Sequence, residues 1–271
     1  MLATHDNAKL LAGGQSLMPM LNMRFAFPDH LIDLNRVADL AGITLVGNEL
    51  CIGAMTRQRD LLDSALVRQH VPLLTEALAL VGHRQTRNRG TIGGSLCHLD
   101  PAAELVAVAA GLDATIDITG PEGSRSLPMA EFPLGYMTPA IAPEEMVTAV
   151  RIKLPPQHGH CFLEFSRRHG DFAIVSAAAM LTLEASGCIA TASLTLGGLG
   201  AVPLRMTDAE AALRGARPAD ALFAQAAAGC ATVEAMDDPQ VPAWYRRRLA
   251  TTLARRALTT AYARCVPGME H

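Results

Sequence analysis

The sequence predicts an α+β protein in two parts. Three observations carry that expectation. Helical periodicity and strand-like alternation both recur in each half of the chain. Paired β-prone runs are joined by glycine-containing turns. A stiff polar segment, Pro155-Pro156-Gln157-His158-Gly159, interrupts every regular pattern and divides the two parts.

In chain order, GITLVGNELCIG between Gly42 and Gly53 places two β-prone runs around Gly47-Asn48, a pair suited to the positive φ angles of a hairpin turn. From Val71 to Val81 the apolar residues recur at helical spacing, Pro72 suits the first turn, and Gly82 marks the stop. Asp100-Pro101 reads as the N-cap and first-turn proline of a helix through Ala110, ended by Gly111. Strand signals return with a turn at 121 to 123 and an alternating run from 146 to 154. Beyond the joint, 177 to 185 and 188 to 196 flank Ser186-Gly187 as a long hairpin, whose small residues predict a face closely covered by helices. Thr207-Asp208-Ala209-Glu210 has the capping-box pattern before a helix ending at Gly215. A final amphipathic helix is expected from Ala243 to Arg264, with Leu249, Leu253 and Ala257 inward and Arg246 to Arg248, Arg255 and Arg256 elsewhere, as a solvated face.

Composition narrows the function. The chain has 271 residues, 50% of them hydrophobic and 18% charged, with a net charge of -3. That balance describes an ordered globular protein with no overall attraction for nucleic acid or anionic lipid. The longest apolar run, Leu105 to Leu112, is about half a membrane span. The start, MLATHDNAKLL, shows no secretory pattern, so a cytoplasmic protein is expected. Cysteines at 51, 97, 161, 188, 230 and 265 lie at least 27 residues apart, unlike a zinc knuckle or an iron-sulfur site, and are expected as free thiols.

Two glycine-rich segments carry the chemistry, LLAGGQSL at 10 to 17 and GTIGGSLCHLDPAAEL at 90 to 105, each after an apolar segment able to form a strand. Glycine pairs let main-chain N–H groups approach an anion without Cβ obstruction, so two such loops closing together would hold the diphosphate of a dinucleotide. The plain alternative is that they only make turns. Other nucleotide motifs are missing: there is no GxxxxGK loop, and Gly198-x-Gly200 has Pro203 where a Rossmann fingerprint needs glycine. Ser95 lacks the nucleophile-elbow pattern because Cys97 takes its last glycine position, and HExxH does not occur. His98, Asp100 and Glu104 also form a possible metal-ligand set, against which stands the capping role of Asp100.

Three segments taken together, LLAGGQSLMPMLNMR at 10 to 24, RNRGTIGGSLCHLDPAAEL at 87 to 105 and FSRRHGDFAIV at 165 to 175, closely resemble the FAD-binding medium subunit of the molybdenum hydroxylases, the family of carbon monoxide and xanthine dehydrogenases. The resemblance implies a vanillyl-alcohol-oxidase (PCMH)-type FAD domain over 1–155, with a small part to about 35 and a larger part from 36, then a C-terminal α+β domain over 160–265. It assigns FAD contacts to Ala12, Gly13, Gly14, Gln15 and Ser16, flanked by Leu10, Leu11 and Leu17. A second set is Thr91, Ile92, Gly93, Gly94 and Ser95, followed by His98, Asp100 and Glu104. Asp171 and Phe172 complete the set; Phe172 either stacks on the isoalloxazine ring or is an ordinary core phenylalanine. No catalytic or metal-ligating residue is expected on the chain itself.

By the same resemblance, the chain would receive electrons from [2Fe-2S] clusters on a small subunit, serve a large subunit holding the molybdenum cofactor, and assemble as a dimer of heterotrimers. Arg84, Arg87 and Arg89 would face the iron-sulfur subunit, neutralise phosphate, or form a solvated basic face. Two departures stand out. Relatives begin about two dozen residues earlier, so either the start is misassigned or the small subdomain is shortened. Leu163 replaces a lysine found near the flavin in some xanthine dehydrogenases, which leaves the electron acceptor open. A self-sufficient flavoprotein oxidoreductase, with His169 and Asp171 as its proton-handling candidates, is the competing expectation. A non-enzymatic module with a vestigial cofactor is the third.

Overall fold

In the computed structural model, which describes residues 2–265, the chain opens with β1 (Ala8–Leu11), α1 (Leu17–Asn22) and β2 (His30–Asp33). β1 and β2 pair in parallel, Ala8 opposite His30 and Leu11 opposite Asp33. Of the described residues before Leu40, Gly13 alone is buried, so this small unit has no core of its own.

The hairpin expected around Gly47 is β3 (Ile43–Val46) with β4 (Glu49–Gly53), and Gly47 turns it at φ +59°. A run of short helices follows: α2 (Gln58–Asp63), α3 (Ala65–His70), α4 (Pro72–Leu80), α5 (Arg84–Arg89), α6 (Ile92–His98) and α7 (Glu104–Gly111). α4 starts on Pro72 and ends before Gly82, as its sequence predicts. Then come β5 (Thr115–Gly120), β6 (Gly123–Pro128), β7 (Pro133–Gly135), β8 (Thr138–Pro139) and β9 (Met146–Lys153). The main sheet of this half is antiparallel, ordered β3-β4-β9-β5-β6. Its inward residues, Leu50, Ile52, Ile116, Ile118, Val150 and Ile152, pack with Leu73, Leu74 and Leu78 of α4 and Leu105 and Val108 of α7 in one core. Each such side chain taken out of water contributes roughly 1.5–3 kcal/mol.

The second half holds β10 (Gly159–Phe165), β11 (Val175–Leu183), β12 (Ile189–Gly197) and β13 (Leu204–Arg205), then α8 (Thr207–Leu213), α9 (Asp220–Ala228) and α10 (Ala243–Cys265). The four strands form an antiparallel sheet in sequence order. The predicted long hairpin is β11–β12, turned at Gly187 with φ +80°. α10 crosses β10 and β11 so closely that a Cβ on Gly159 would sit 1.8 Å from the Ala261 carbonyl oxygen. Leu253, Ala257 and Ala261 face the second core.

Four local expectations are corrected. Asp100 does not cap α7; its carboxylate accepts the Ala102 N–H at 2.8 Å and shapes the turn, while α7 begins at Glu104 after Ala103. The second glycine segment follows a helix, α5, rather than a strand, and its glycines lie in the first turn of another helix, α6. Thr207 is the first residue of α8 rather than its cap, and Glu210 instead accepts the Leu194 N–H and pairs with Arg205. Arg246 leaves the solvated face assigned to it: it is buried, donating to the carbonyls of Ile174 and Gly198 and to Asp238.

Candidate functional site

The two glycine segments, about eighty positions apart, touch. β1 delivers the first loop, and Gly14 turns it at φ +73°. A Cβ on Gly13 would lie 2.2 Å from the Arg89 carbonyl oxygen and 2.9 Å from the Gly90 Cα, so only glycine permits this approach. A Cβ on Gly94 would come within 3.5 Å of the Ala12 methyl. Arg57 ties the contact from the side, donating to the Arg89 carbonyl and to the Asn35 amide oxygen, while Asn35 donates to the Ala12 carbonyl at 3.2 Å.

The two segments differ in what they leave free. In the second, Ile92 N–H donates to the Thr56 carbonyl, Gly93 N–H to the Ala54 carbonyl, Gly94 N–H to the Thr91 hydroxyl and Ser95 N–H to the Thr91 carbonyl. Those four main-chain donors are paired within the protein, Ile92 and Gly93 to the segment between β4 and α2, Gly94 and Ser95 within the first turn of α6. Gly93 is required by packing: its Cβ would lie 2.6 Å from that of Ala54. In the first loop the N–H groups of Gly13, Gly14, Gln15 and Ser16 have no protein acceptor among the described residues. Four consecutive unpaired donors beside a cleft form an anion-binding concavity.

The cleft between the segments has a volume of about 900 Å³, toward the upper end of the roughly 300–1,000 Å³ typical of small-molecule and cofactor sites. Leu10, Ala12, Gly13, Gly14, Gln15, Ser16 and Leu17 line it from the first segment. Thr91, Gly93, Gly94, Ser95, His98, Asp100 and Glu104 line it from the second, and Asp171 and Phe172 reach it from the β10–β11 connection. Two sequence candidates are not in its wall. Ile92 is 2% exposed and packs in the first core, and Leu11 lies in β1 beside it. Phe172 is exposed at the mouth, so its alternative as a core phenylalanine falls away.

Electrostatics inside the cleft follow from burial. The His98 imidazole is held below its ordinary value by burial, against the opposing charge of Asp100, and is neutral at pH 7. Glu104 is 3% exposed, and burial, then the charges of Glu164 and Asp100, push its carboxyl up to about 8 against the effect of its own N–H. Cys97, beside His98, is a thiol pushed up to about 12 by burial. Arg87 donates to the carbonyls of Val81 and Gly82, whereas Arg84 and Arg89 are exposed on α5.

Residues without a motif also line the cleft: Lys9, Gln58, Thr138 and Glu145. Gln58 is buried with its amide oxygen lacking a protein partner. Only folding brings these scattered positions to one wall, so no spacing in the chain announces them.

Comparison with known proteins places this geometry. Residues 1–155 match the FAD binding domain in molybdopterin dehydrogenase, and residues 160–261 match the CO dehydrogenase flavoprotein C-terminal domain. The chain is 41% identical to the 6-hydroxypseudooxynicotine dehydrogenase complex subunit alpha of Paenarthrobacter nicotinovorans, over 98% of this chain and 90% of that one. It is 37% identical to the carbon monoxide dehydrogenase medium chain of Afipia carboxidovorans, over 96% and 90%. A chain of carbon monoxide dehydrogenase from Hydrogenophaga pseudoflava superposes with a TM-score of 0.94 at 36% identity, covering 98% of this chain and 93% of that one. With both halves matched and relatives spanned nearly end to end, the chain belongs to the FAD-binding medium-subunit family of the molybdenum hydroxylases, whose members are components of oxidoreductases.

Proposed function

We propose that this chain holds FAD across the cleft and passes electrons from [2Fe-2S] clusters on a small partner subunit to an external acceptor. A large partner subunit would carry the molybdenum cofactor and oxidise the substrate, the three chains pairing as a dimer of heterotrimers. A cytoplasmic setting belongs to the same proposal; no described helix is long and apolar enough to cross a membrane. We likewise take 1–155, with its small part to about 35, and 160–265 as the functional domains.

The observation that carries this reading is the run of unpaired N–H groups at 13 to 16, packed against Arg89, Gly90 and Gly94. These donors fit a diphosphate, and the hydroxyls of Ser16 and Ser95 add to them from the wall. When bound, FAD supplies one-electron acceptance and paired release; the protein supplies position and electrostatics. Phe172 offers an aromatic face at the mouth. His98, neutral and half-buried, has a ring N–H to give to a cofactor oxygen or nitrogen. The six dispersed cysteines leave the clusters to another chain.

An absorption spectrum of the chain purified and reconstituted with FAD tests the proposal. Flavin bands near equimolar stoichiometry, with substrate turnover only when the partner chains are added, are expected. A folded chain that binds no FAD would refute the site; turnover by the chain alone would favour the self-sufficient oxidoreductase.

A further inference from the structure

One buried side chain of the cleft wall is unpaired, and neither glycine motif accounts for it. Gln58 opens α2, and its main-chain N–H donates to the Gly90 carbonyl at 2.9 Å. Its side chain lies against the same residue: a Cβ on Gly90 would collide with the Gln58 amide oxygen. Gly90 also touches the first segment, because a Cβ on Gly13 would lie 2.9 Å from its Cα. Gln58 and the first of the four free N–H groups therefore flank one glycine. Gln58 is 5% exposed and lines the cleft. Its amide oxygen is sealed without a protein partner. Its amide nitrogen has no partner among the described residues either, but stays accessible, and the space that Gln58 borders is the cleft. A side-chain amide at such depth asks for an explanation, and its two free N–H donors call for an acceptor in the cleft.

The surroundings of Gln58 say which acceptor. The guanidinium of Arg57, one position earlier, is spent on the Arg89 carbonyl and the Asn35 amide oxygen and is not part of the cleft wall. Among the described residues that line the cleft, Lys9 is the one lysine or arginine. An anion seated on the first loop is therefore held mainly by neutral dipoles, the N–H groups of 13 to 16. Gln58 adds two donors of the same kind from the other side of Gly90. We propose that Gln58 is a further binding residue of this site, its amide NH2 group donating to the diphosphate oxygens of the dinucleotide beside the Gly13–Ser16 loop. The proposal rests on the FAD reading and adds to it a side-chain contact that no motif in the chain announces.

The experiment is equilibrium dialysis of the full-length chain at pH 9, with FAD alone and with ADP as competitor, on the wild type, Gln58→Met and Gln58→Glu. Methionine keeps the length of the side chain and has no N–H. Glutamate keeps its shape and replaces the donors by a charge that repels phosphate. Gln58→Met is expected to bind FAD at least about tenfold more weakly, as for loss of a hydrogen bond to a charged group. ADP, which carries the diphosphate and no flavin, should weaken by the same factor. Gln58→Glu should bind both more weakly still. Wild-type affinity in Gln58→Met would overturn the proposal. So would Gln58→Glu binding as tightly as Gln58→Met or tighter, the result expected if the amide oxygen instead accepts from a cofactor hydroxyl. A weakening for FAD without one for ADP would place the contact away from the diphosphate and overturn it as well. Should Gln58→Met melt earlier, Gln58→Glu keeps the test on a folded chain, because an acid suits the first turn of α2. A folded wild-type chain that takes up no FAD would overturn the cofactor reading and this contact together. Wild-type uptake with unchanged variants would overturn this contact alone.

Discussion

Gly13 is the residue on which the cleft closes. Valine there would place a branched side chain where the Arg89 carbonyl and Gly90 already lie, forcing the first loop off α6 and turning its unpaired N–H groups away from one another. The Gly13→Val chain should bind FAD at least about tenfold more weakly, roughly 1.4 kcal/mol, by equilibrium dialysis. Its cores should melt unchanged, because Gly13 is the one buried residue among described positions before Leu40. Arg246 behaves differently, since it is part of the folded interior. Arg246→Leu would leave Asp238 and the carbonyls of Ile174 and Gly198 without their donor, and the unsatisfied carbonyls should cost about 1–3 kcal/mol in urea unfolding. Sequence marked Gly13 through its motif and misplaced Arg246, because a lone arginine in a run of three looks solvated until its partners from two loops are known.

At the scale of elements, the halves are joined where α4, β10 and α10 meet. Glu76 of α4 accepts from Arg264 of α10 at 2.5 Å and from the Phe162 N–H at 2.8 Å, and Arg264 also donates to the His160 carbonyl. Glu76→Ala removes the acceptor shared by two elements of the other half and should cost about 1.5–3 kcal/mol, as for hydrogen bonds to charged groups. A differential scanning melt lowered by a few degrees is the expected outcome; an unchanged melt would show that core packing alone holds the seam. α4 and α10 were legible because their apolar residues recur over several turns. α6 was not: IGGSLCH is short and glycine-rich, and it is helical because Thr91 caps it while Ile92 and Leu96 are buried. The expected cap of α8 failed for a related reason, as Glu210 is spent on Arg205 and the Leu194 N–H.

For the whole molecule, stability should depend on pH with two opposed contributions. Glu104 and Glu164 bind protons more tightly folded than unfolded, with values of about 8 and about 7 against 4.5. Their contribution is therefore complete below about pH 4.5 and is lost as pH rises through 7 to 8. His160 acts in the other direction. Burial, then the charges of Arg264 and His158, hold its imidazole down to about 4 against 6.5, so its contribution is lost as pH falls from 6.5 towards 4. The urea midpoint of the wild-type chain should fall between pH 6.5 and 8.5, and Glu104→Gln should flatten that fall. Equal slopes for the two chains would refute the assignment.

The sequence by itself determined the α+β class, the hairpins at Gly47 and Gly187, the helices begun at Pro72 and Ala243, and the family resemblance borne by three motifs. Those properties rest on local periodicity, turn chemistry and contiguous residues, which are written along the chain. Tertiary structure decided that the first loop keeps its N–H groups free while α6 spends its own. It also decided that Gln58 and Glu145 join the cleft and that Glu104 is buried in its wall. Those outcomes depend on which distant backbone satisfies which donor and on how much water is excluded, and neither quantity has a one-dimensional signature.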